Sequence, residues 1–425
     1  MFEKRAVFLR DRYFMAKKND GNLIVGLDIG TTKVVALVGE VIADNQVEII
    51  GVGTHPSRGL KRGMVVNIDA TVQSIKHAVE EAELMAGCQI NSAYTGIAGG
   101  HIRSLNSHGI VAIRSGEVIQ ADVDRVIDAA KTIAIPADQK ILHILPQEFV
   151  IDDQEGVREP IGMSGVRLEA KVHIVTGGVS AVQNIVKCIE KCGLQVSDII
   201  LQQLASSYAV LTEDEKELGV CLIDIGGGTT DIAIFNNGAI RHTAVIPIAG
   251  DQVTNDVAVT LHIPTKYAEE VKVAHASVLD DASSDSEMVE VRTAVPNKSK
   301  EVDKKILAQI VRARYEELFN LVQAELRRCG LSDFISSGIV LTGGASKVDG
   351  LLELASEVFQ MSVRLGSPQN ISGMIEVLNN PVYSTGVGLL LAGYKRQQDG
   401  RAESTVRPGV KNLWKRMKGW FQGNF

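Results

Sequence analysis

The sequence has 425 residues, enough for two to four domains with cores of their own, which excludes a small scaffold stapled by disulfides. Hydrophobic residues make up 45% and charged residues 22%, which excludes both a disordered chain and a polytopic membrane protein. The formal net charge is -7, yet residues 401–425 hold six basic side chains and one acid, so the rest of the chain is more acidic than the total indicates. An acidic body argues against nucleic acid as a partner.

The cysteines and the N-terminal residues indicate the compartment. The five cysteines follow no regular framework, and the first twenty residues contain no long apolar stretch that could serve as a signal peptide. We therefore expect a reducing, cytoplasmic setting. Cys188 and Cys192 are four residues apart, and no second pair of cysteines accompanies them, which predicts reduced thiols rather than a metal site. No window reaches 18 apolar residues, so no membrane-spanning helix is predicted.

Strands and helices alternate along the chain, which predicts an α/β architecture. Residues 1–21 are predicted to be a mobile polar extension, with order beginning at the apolar run 23–25. Apolar residues at helical spacing predict helices at 71–86, 121–133, 180–192 and 304–328, the first of them ended by Gly87. Polar, Ser/Asp-rich residues 279–300 are predicted to form an exposed loop or hairpin, and residues 395–409 a flexible linker.

An internal repeat is the most informative feature of the sequence. Residues 27–38 (LDIGTTKVVALV) and 223–235 (IDIGGGTTDIAIF) each contain a strand ending in Asp-Ile-Gly, a Gly/Thr turn and a second apolar strand. Asp28 and Asp224 are 196 residues apart, which fits a duplicated domain better than a solenoid. Glycine turns bring backbone N–H groups close to an anion, and a carboxylate at a strand end can hold Mg²⁺. One copy alone is more often an ordinary β-hairpin, but two copies in matching contexts favour a phosphate site.

A third glycine motif supports this interpretation. Residues 338–350 (GIVLTGGASKVDG) contain an apolar strand, a Gly343-Gly344 turn and a helical run. Such a turn lets the backbone approach a flat ligand closely, although a plain strand-to-helix connection is the alternative. The other common nucleotide signatures, G-x-x-x-x-G-K-[ST] and a strand-linked G-x-G-x-x-G, do not occur.

These motifs resemble those of the ATP-binding superfamily that contains actin, the sugar kinases and the heat-shock chaperone ATPases. The resemblance implies two phosphate motifs (LDIGTTK and IDIGGGTTD), an adenosine motif (LTGGAS), and two segments that hinge the lobes, at 204–211 and 383–393. It implies ATP and Mg²⁺ as cofactors, with Asp28 and Asp224 as metal ligands. The implied ATP- and Mg²⁺-binding residues are Asp28, Gly30, Thr31, Thr32, Lys33, Asp224, Gly226, Gly227, Gly228, Thr229, Thr230, Asp231, Gly250, Asp251, Gly343, Gly344 and Ala345.

The C-terminal residues form a different pattern. Wound as a helix, residues 411–422 gather the apolar side chains, including both tryptophans of the chain, within an arc of about 120°. All three lysines fall opposite this arc, and Arg416 flanks it. This pattern is typical of a helix that lies in a membrane interface on anionic lipid, whereas a helix docked on protein is the alternative. The predicted membrane-binding residues are Leu413, Trp414, Met417, Trp420, Phe421, Lys411, Lys415, Arg416 and Lys418. One such tail binds reversibly, so it suits a protein that self-associates.

The ATP-binding body, linker and amphipathic tail together resemble the FtsA family of bacterial cell-division proteins. Stretches that carry this resemblance include ILPQEFVID (144–152) and IGMSGVRLEAKVHIVTG (161–177). It implies an actin-like two-lobed ATPase fold with an inserted subdomain in the first lobe. The implied division is a mobile extension (1–21), subdomain 1A (22–98, 178–209 and 375–394), inserted subdomain 1C (99–177), subdomain 2A (210–240 and 315–374), subdomain 2B (241–314), the linker (395–409) and the membrane-targeting helix (410–425).

The same resemblance implies ATP-dependent polymerisation, tethering of FtsZ to the inner membrane at the division site, and recruitment of later division proteins. The implied partners are further copies of the chain itself, anionic lipid at the cytoplasmic face of the inner membrane, later division proteins, and the C-terminal tail of FtsZ, which would bind residues 241–314. Arg312 and Arg314 are candidates for that contact, although solvated helix charges are an equal alternative. The main alternative function is that of a small-molecule kinase of the superfamily. Further alternatives are an actin-like scaffold of pilus assembly and a soluble chaperone. Hydrolysis of ATP stays open, and at most weak ATPase activity is expected.

Overall fold

The structure of the protein, a computed structural model, describes residues 22–42, 46–279, 287–295 and 298–403, with side chains up to residue 398. The predicted extension at 1–21 and the predicted membrane helix at 410–425 lie outside these residues. No helix within the described part of the chain is long and apolar enough to cross a membrane.

The first lobe begins with a meander of antiparallel strands. Its early elements are β1 (Leu23–Ile29), β2 (Lys33–Val41), β3 (Val47–Pro56), β4 (Leu60–Lys61), β5 (Met64–Val65), helix α1 (Ile68–Ala86) and β6 (Ser92–Ile97). Helix α1 starts three residues before the predicted 71 because Asn67 caps it, accepting a hydrogen bond from the Ala70 N–H at 3.0 Å. It ends as predicted at Gly87, which takes the left-handed conformation with φ 65°.

A four-stranded antiparallel sheet follows as an insertion in this lobe. It contains β7 (Arg103–Ala112), helix α2 (Gln120–Ala130), β8 (Gln139–Ile151), β9 (Gln154–Val157) and β10 (Arg167–Gly178), with strand order β7-β10-β8-β9. Helix α2 packs its apolar face on the sheet and forms a separate small core with it. The chain then returns to the first lobe through α3 (Val179–Glu190), β11 (Gln195–Leu201) and α4 (Gln202–Val210).

The second lobe repeats the pattern of the first. Its elements are α5 (Glu213–Leu218), β12 (Val220–Ile225), β13 (Thr230–Asn236), β14 (Ala239–Ile246), α6 (Gly250–Thr260), α7 (Thr265–His275), β15 (Met288–Arg292), β16 (Ser299–Asp303), α8 (Lys304–Cys329), β17 (Ile339–Thr342), α9 (Leu351–Phe359) and β18 (Val363–Leu365). The two-stranded β15–β16 unit lies largely within residues 279–300, where the sequence predicts an exposed loop or hairpin. Strand β14 and helix α8 both cross the borders implied for residues 241–314.

The strand order confirms the duplicated fold. The first lobe has the order β11-β6-β1-β2-β3, and the second has β18-β17-β12-β13-β14. In each lobe the strand that carries the aspartate pairs antiparallel with the next strand and parallel with a later one. Asp28 faces Val35 in the first hairpin, and Asp224 faces Asp231 in the second. The two aspartates therefore occupy equivalent ends of equivalent strands.

The last described segment of the chain crosses back to the first lobe. It forms β19 (Ser372–Gly373), α10 (Ile375–Leu378) and α11 (Ser384–Glu403), and β19 pairs with β3. Helix α11 approaches α4 closely, since a β-carbon on Gly388 would collide with the backbone of Ala205. The prediction of a linker at 395–409 is wrong for residues 395–403, because α11 continues to Glu403 through good helix formers such as Lys395 and Gln397.

The inserted subdomain also contacts the second lobe. The side-chain amide of Gln147 donates a hydrogen bond of 2.9 Å to the Ile240 carbonyl on β14. Beside it, buried His173 bonds Asn106 Oδ1 through Nδ1 at 2.7 Å and Thr243 Oγ1 through Nε2 at 2.9 Å. Because Asn106 Oδ1 can only accept, Nδ1 is the protonated nitrogen and Nε2 accepts from the threonine hydroxyl.

Candidate functional site

A cavity of about 470 Å³ lies where the two hairpins and the Gly343-Gly344 turn meet. This volume lies within the usual range for small-molecule and cofactor sites. All the predicted nucleotide-binding residues except Thr230 and Asp251 line it. The lining residues that the sequence analysis did not single out include Gly63, Gln202, Glu269, Lys272, Val273, Ala276, Tyr315, Lys347, Val348 and Thr385.

The turns of the two hairpins lie directly against each other in the cavity wall. We call residues 30–32 the first loop and residues 226–229 the second loop. Each is closed in the same way, by a bond from the Gly30 N–H to the Lys33 carbonyl at 2.9 Å and from the Gly226 N–H to the Thr229 carbonyl at 3.0 Å. Thr31 also accepts a hydrogen bond of 3.1 Å from the Gly63 N–H, which anchors the first loop to the β4–β5 turn.

The two predicted residues outside the cavity wall support the second loop. Thr230 is fully buried in β13, and its hydroxyl donates to the Ile248 carbonyl at 2.7 Å. The Asp251 N–H donates to the Gly227 carbonyl at 2.7 Å, and the Gly250 N–H donates to the Gly226 carbonyl at 3.1 Å. Thr230 and Asp251 thus support the second loop without lining the cavity.

Three buried carboxyl groups stand at one end of the cavity. Burial raises the pKa of Asp28 to about 6 against the opposing charge of Lys33, and it also raises the pKa of Asp224. The pKa of Asp231 is raised well above its usual value, first by burial and then by the charge of Asp224. One oxygen of Asp231 accepts from the Thr229 hydroxyl at 3.0 Å, while its Oδ1 is buried without a hydrogen-bond partner.

These carboxyl groups fit a divalent cation that also contacts a bound phosphate. Within the described residues, no group of three or more His, Cys, Asp or Glu side chains is arranged to hold a metal by itself. Mg²⁺ commonly takes only one or two protein carboxylates and completes its shell with phosphate oxygens and water. The buried Asp231 Oδ1, which has no hydrogen-bond partner, and the raised pKa values of the three carboxyl groups fit a cation-binding role.

Lys33 supplies a cation at the same end of the cavity. Its Nζ donates to the Val382 carbonyl and lies 5.1 Å from the centre of the Tyr383 ring. Burial lowers the pKa of Lys33 to about 8, although Asp28 and Asp224 oppose the change. The segment before helix α11 is therefore linked to the first hairpin through this side chain.

A further part of the cavity wall is formed by the Gly343-Gly344 turn and helices α7 and α8. Gly343 has φ 88°, and a β-carbon there would collide with Asp224 Oδ1. Tyr315 on α8 donates a hydrogen bond of 2.7 Å to the Ala345 carbonyl, which fixes the turn. On α7, Lys272 forms an ion pair with Glu269 at 2.7 Å and bonds the Gly250 carbonyl at 3.2 Å. The Glu/Lys spacing of three residues is the sequence signal that could have identified this pair.

The predicted partner-binding arginines lie on α8, and both form ion pairs within the chain. Arg312 contacts Glu316 at 2.6 Å and Glu357 at 3.1 Å. Arg314 makes a two-pronged contact with Asp256, at 2.5 and 2.9 Å. These hydrogen bonds raise the pKa of both arginines. A partner carboxylate would have to share or displace these acidic groups.

The predicted membrane-binding residues 411–421 lie outside the described part of the chain.

Comparison with protein families gives two matches. The family described as "Cell division protein FtsA" matches residues 221–388. The family described as "SHS2 domain inserted in FTSA" matches residues 99–176, which lie within the segment 99–177.

Curated relatives are similar over nearly the whole chain. The Cell division protein FtsA of Pseudomonas aeruginosa is 62% identical, covering 97% of this chain and 100% of its own. The FtsA proteins of Neisseria meningitidis and Escherichia coli K12 are 51% and 45% identical, covering 94% and 97% of this chain and 98% and 100% of their own.

Solved structures with the same fold are more distant in sequence. A chain of the PilM–PilN type IV pilus biogenesis complex matches with a TM-score of 0.63 and 17% identity, covering 87% of this chain and 98% of its own. MreB5 of Spiroplasma citri bound to ADP matches with a TM-score of 0.52 and 17% identity, covering 90% and 98%. These neighbours show an actin-like fold.

Proposed function

Because this chain belongs to the FtsA family of cell-division proteins, we propose that it is an ATP-binding, self-associating adaptor that attaches FtsZ to the inner membrane. In this proposal the cavity binds ATP with Mg²⁺, and the C-terminal tail binds anionic lipid on the cytoplasmic face at the division site. The FtsZ tail and later division proteins are the proposed partners.

The observation that carries the nucleotide proposal is the meeting of three glycine turns around one cavity. Backbone N–H groups of the first and second loops can cradle a phosphate chain from both sides. Lys33 supplies a positive charge beside that position, and Asp28 and Asp224 would hold Mg²⁺, directly or through water. Bound Mg²⁺ would offset the negative charge of the phosphates and of the two carboxylates, and so reduce the electrostatic repulsion between them.

The part of the wall formed by α7 and the Gly343-Gly344 turn suits the nucleoside. Val273, Ala276 and Val348 give it apolar surface, while Glu269 and Lys272 offer polar groups that could bind ribose hydroxyls. The Gly343-Gly344 turn lets the backbone approach a flat base closely. A structural neighbour, MreB5 of Spiroplasma citri, is described as bound to ADP, which supports the choice of an adenine nucleotide.

The membrane proposal rests on the sequence of the tail. Four basic residues contribute on the order of 1 kcal/mol each near anionic lipid, so one tail binds reversibly. A polymer presents several tails at once and gains affinity through effective concentration. ATP-dependent self-association would thereby control how firmly the protein holds the membrane.

For FtsZ, we propose binding to the second-lobe region at 241–314, with Arg312 and Arg314 as candidate contacts. Their ion pairs with Glu357 and Asp256 mean that binding would require exchange of acidic partners. An acidic peptide is chemically suited to such an exchange.

Liposome cosedimentation over a range of protein concentrations tests this function. We expect a cooperative binding curve that becomes steeper with ATP and Mg²⁺, and no binding by a chain that lacks residues 410–425. A non-cooperative curve that ATP leaves unchanged would refute the coupling. Binding by the shortened chain at full strength would refute the tail assignment.

A further inference from the structure

We propose that Ser206 and Thr385 are positioning residues that orient the Asp224 carboxylate toward a bound Mg²⁺–nucleotide. The proposal rests on the proposed ATP–Mg²⁺ function of the cavity. It concerns which side chains allow Mg²⁺ to raise the affinity for ATP. Neither residue belongs to the glycine motifs that identified the site.

The two hydroxyl groups converge on the same carboxylate oxygen. Ser206 Oγ donates to Asp224 Oδ2 at 2.5 Å, and Thr385 Oγ1 donates to the same oxygen at 3.2 Å. The hydroxyls also lie 3.0 Å from each other. Each has a single hydrogen, so Ser206 is committed to Asp224, while Thr385 shares its hydrogen between Asp224 and Ser206. All three side chains are buried.

This arrangement decides which oxygen of Asp224 is left for a ligand. Oδ2 is occupied by the two hydroxyls. Oδ1 lies beside Gly343, a residue of the cavity wall, so closely that a β-carbon there would collide with it. The hydroxyl pair therefore holds the carboxylate in one rotamer, with Oδ1 available to a cation or its water.

The same helix face holds the equivalent carboxylate of the first lobe. Gln202 Nε2 donates to Asp28 Oδ1 at 3.0 Å. Gln202 and Ser206 are four residues apart on α4 and so share one face of the helix. One turn of α4 thus binds Asp28 from one lobe and Asp224 from the other.

The two hydroxyls belong to the two helices that join the lobes. Ser206 lies on α4 and Thr385 on α11. These helices are in backbone contact at Gly388 and Ala205, so the positions of the hydroxyls are fixed relative to each other. A rotation of one lobe about these helices would have to move Asp224 with the hydroxyl pair or break its hydrogen bonds.

The test compares ATP binding by the full chain with Mg²⁺ and with EDTA, using titration calorimetry. The variants are Ser206→Ala and Thr385→Val, which remove one hydroxyl each, and Thr385→Ser, which keeps it. Ser207→Ala is the matched control, because Ser207 is also buried on α4 but donates to the Leu204 carbonyl at 2.7 Å instead.

The Mg²⁺ enhancement is the ratio of the ATP affinity with Mg²⁺ to that with EDTA. We expect this ratio to be about tenfold smaller in Ser206→Ala and in Thr385→Val than in the wild type, which is the size typical of a hydrogen bond to a charged group. In EDTA, Ser206→Ala should bind ATP as the wild type does, and Thr385→Ser and Ser207→Ala should keep the full enhancement. Equal enhancement in all variants would overturn the inference, as would a loss by Ser206→Ala that is the same in EDTA. Absence of ATP binding by the wild type in both buffers would instead overturn the proposed function, and the inference with it.

Discussion

Thr31 occupies the space that a side chain on Gly228 would need: a β-carbon on Gly228 would stand 2.9 Å from Thr31 Cβ. The neighbouring pair behaves in the same way, since a β-carbon on Gly227 would stand 2.9 Å from Thr32 Oγ1. The first and second loops, which belong to different lobes, are thus packed directly against each other. The glycines of the second loop are needed for this contact between lobes as well as for phosphate binding.

Gly228→Ala should force the two loops apart and weaken ATP binding by about fivefold or more, because overpacking of this kind costs about 1–3 kcal/mol. Equilibrium binding of ATP in the presence of Mg²⁺ measures the effect. Gly100→Ala is the control, since a β-carbon there would meet no atom within 4 Å. Wild-type affinity in Gly228→Ala would show that the loops do not need to touch.

Gly343→Ala should destabilise the fold itself. The residue has φ 88°, and its β-carbon would meet both Asp224 and the backbone of Ile225, so we expect a loss of about 1–3 kcal/mol in the free energy of unfolding. Gly344→Ala is matched to it: the nearest atom, on Val382, would be 3.6 Å away, and the cost should stay below about 0.5 kcal/mol. Denaturant unfolding of both variants checks this. Equal stabilities would contradict the collision seen in the structure.

His173 should make stability depend on pH. Burial, with a smaller contribution from His242, lowers its pKa to about 3, compared with an ordinary value of about 6.5. The unfolded chain therefore binds the proton more readily, and the stability that neutral His173 provides is full above pH 6.5 and is lost as the pH falls toward 3. Between pH 7 and pH 5 the loss is about 2 kcal/mol.

Unfolding free energies at these two pH values test this prediction. His173→Gln should remove this part of the pH dependence, whereas His77→Gln, at an exposed histidine, should keep it. The ring of His242 lies 6.4 Å from that of His173 and contacts Glu325 at 2.7 Å, and both residues remain in both variants. An unchanged pH dependence in His173→Gln would show that another group is responsible.

Trp420→Glu should abolish binding to anionic vesicles while ATP affinity is unchanged. In the predicted helix Trp420 lies on the apolar arc, where a carboxylate opposes both insertion and the attraction of anionic lipid. Gln422→Glu adds the same charge on the polar side and should retain most of the binding. Vesicle cosedimentation distinguishes the two variants, and equal binding of Trp420→Glu and the wild type would refute the anchor.

The parts of the site that the sequence predicts are contiguous motifs. The two hairpin loops and the Gly343-Gly344 turn are identifiable because glycine, threonine and aspartate stand at fixed offsets within a few residues. Their meeting around one cavity follows from the duplicated strand order.

The residues that sequence reasoning missed depend on packing between distant segments. Ser206 and Thr385 lie in the two predicted hinge segments, and Gln202 lies just before the first. Their contacts with the aspartates depend on how α4 and α11 cross between the lobes, which the sequence does not show. The ion pairs that occupy Arg312 and Arg314 are of the same kind, since their partners Glu357 and Asp256 are 45 and 58 residues away.

Titration of ATP into the full chain, with Mg²⁺, is the most direct test of the central claim that the cavity is a nucleotide site. The account predicts saturable binding of one ATP per chain, and loss of its Mg²⁺-dependent part when Asp28→Asn and Asp224→Asn are combined. Absence of saturable binding by the wild type, or equal Mg²⁺-dependent binding by the double variant, would contradict it.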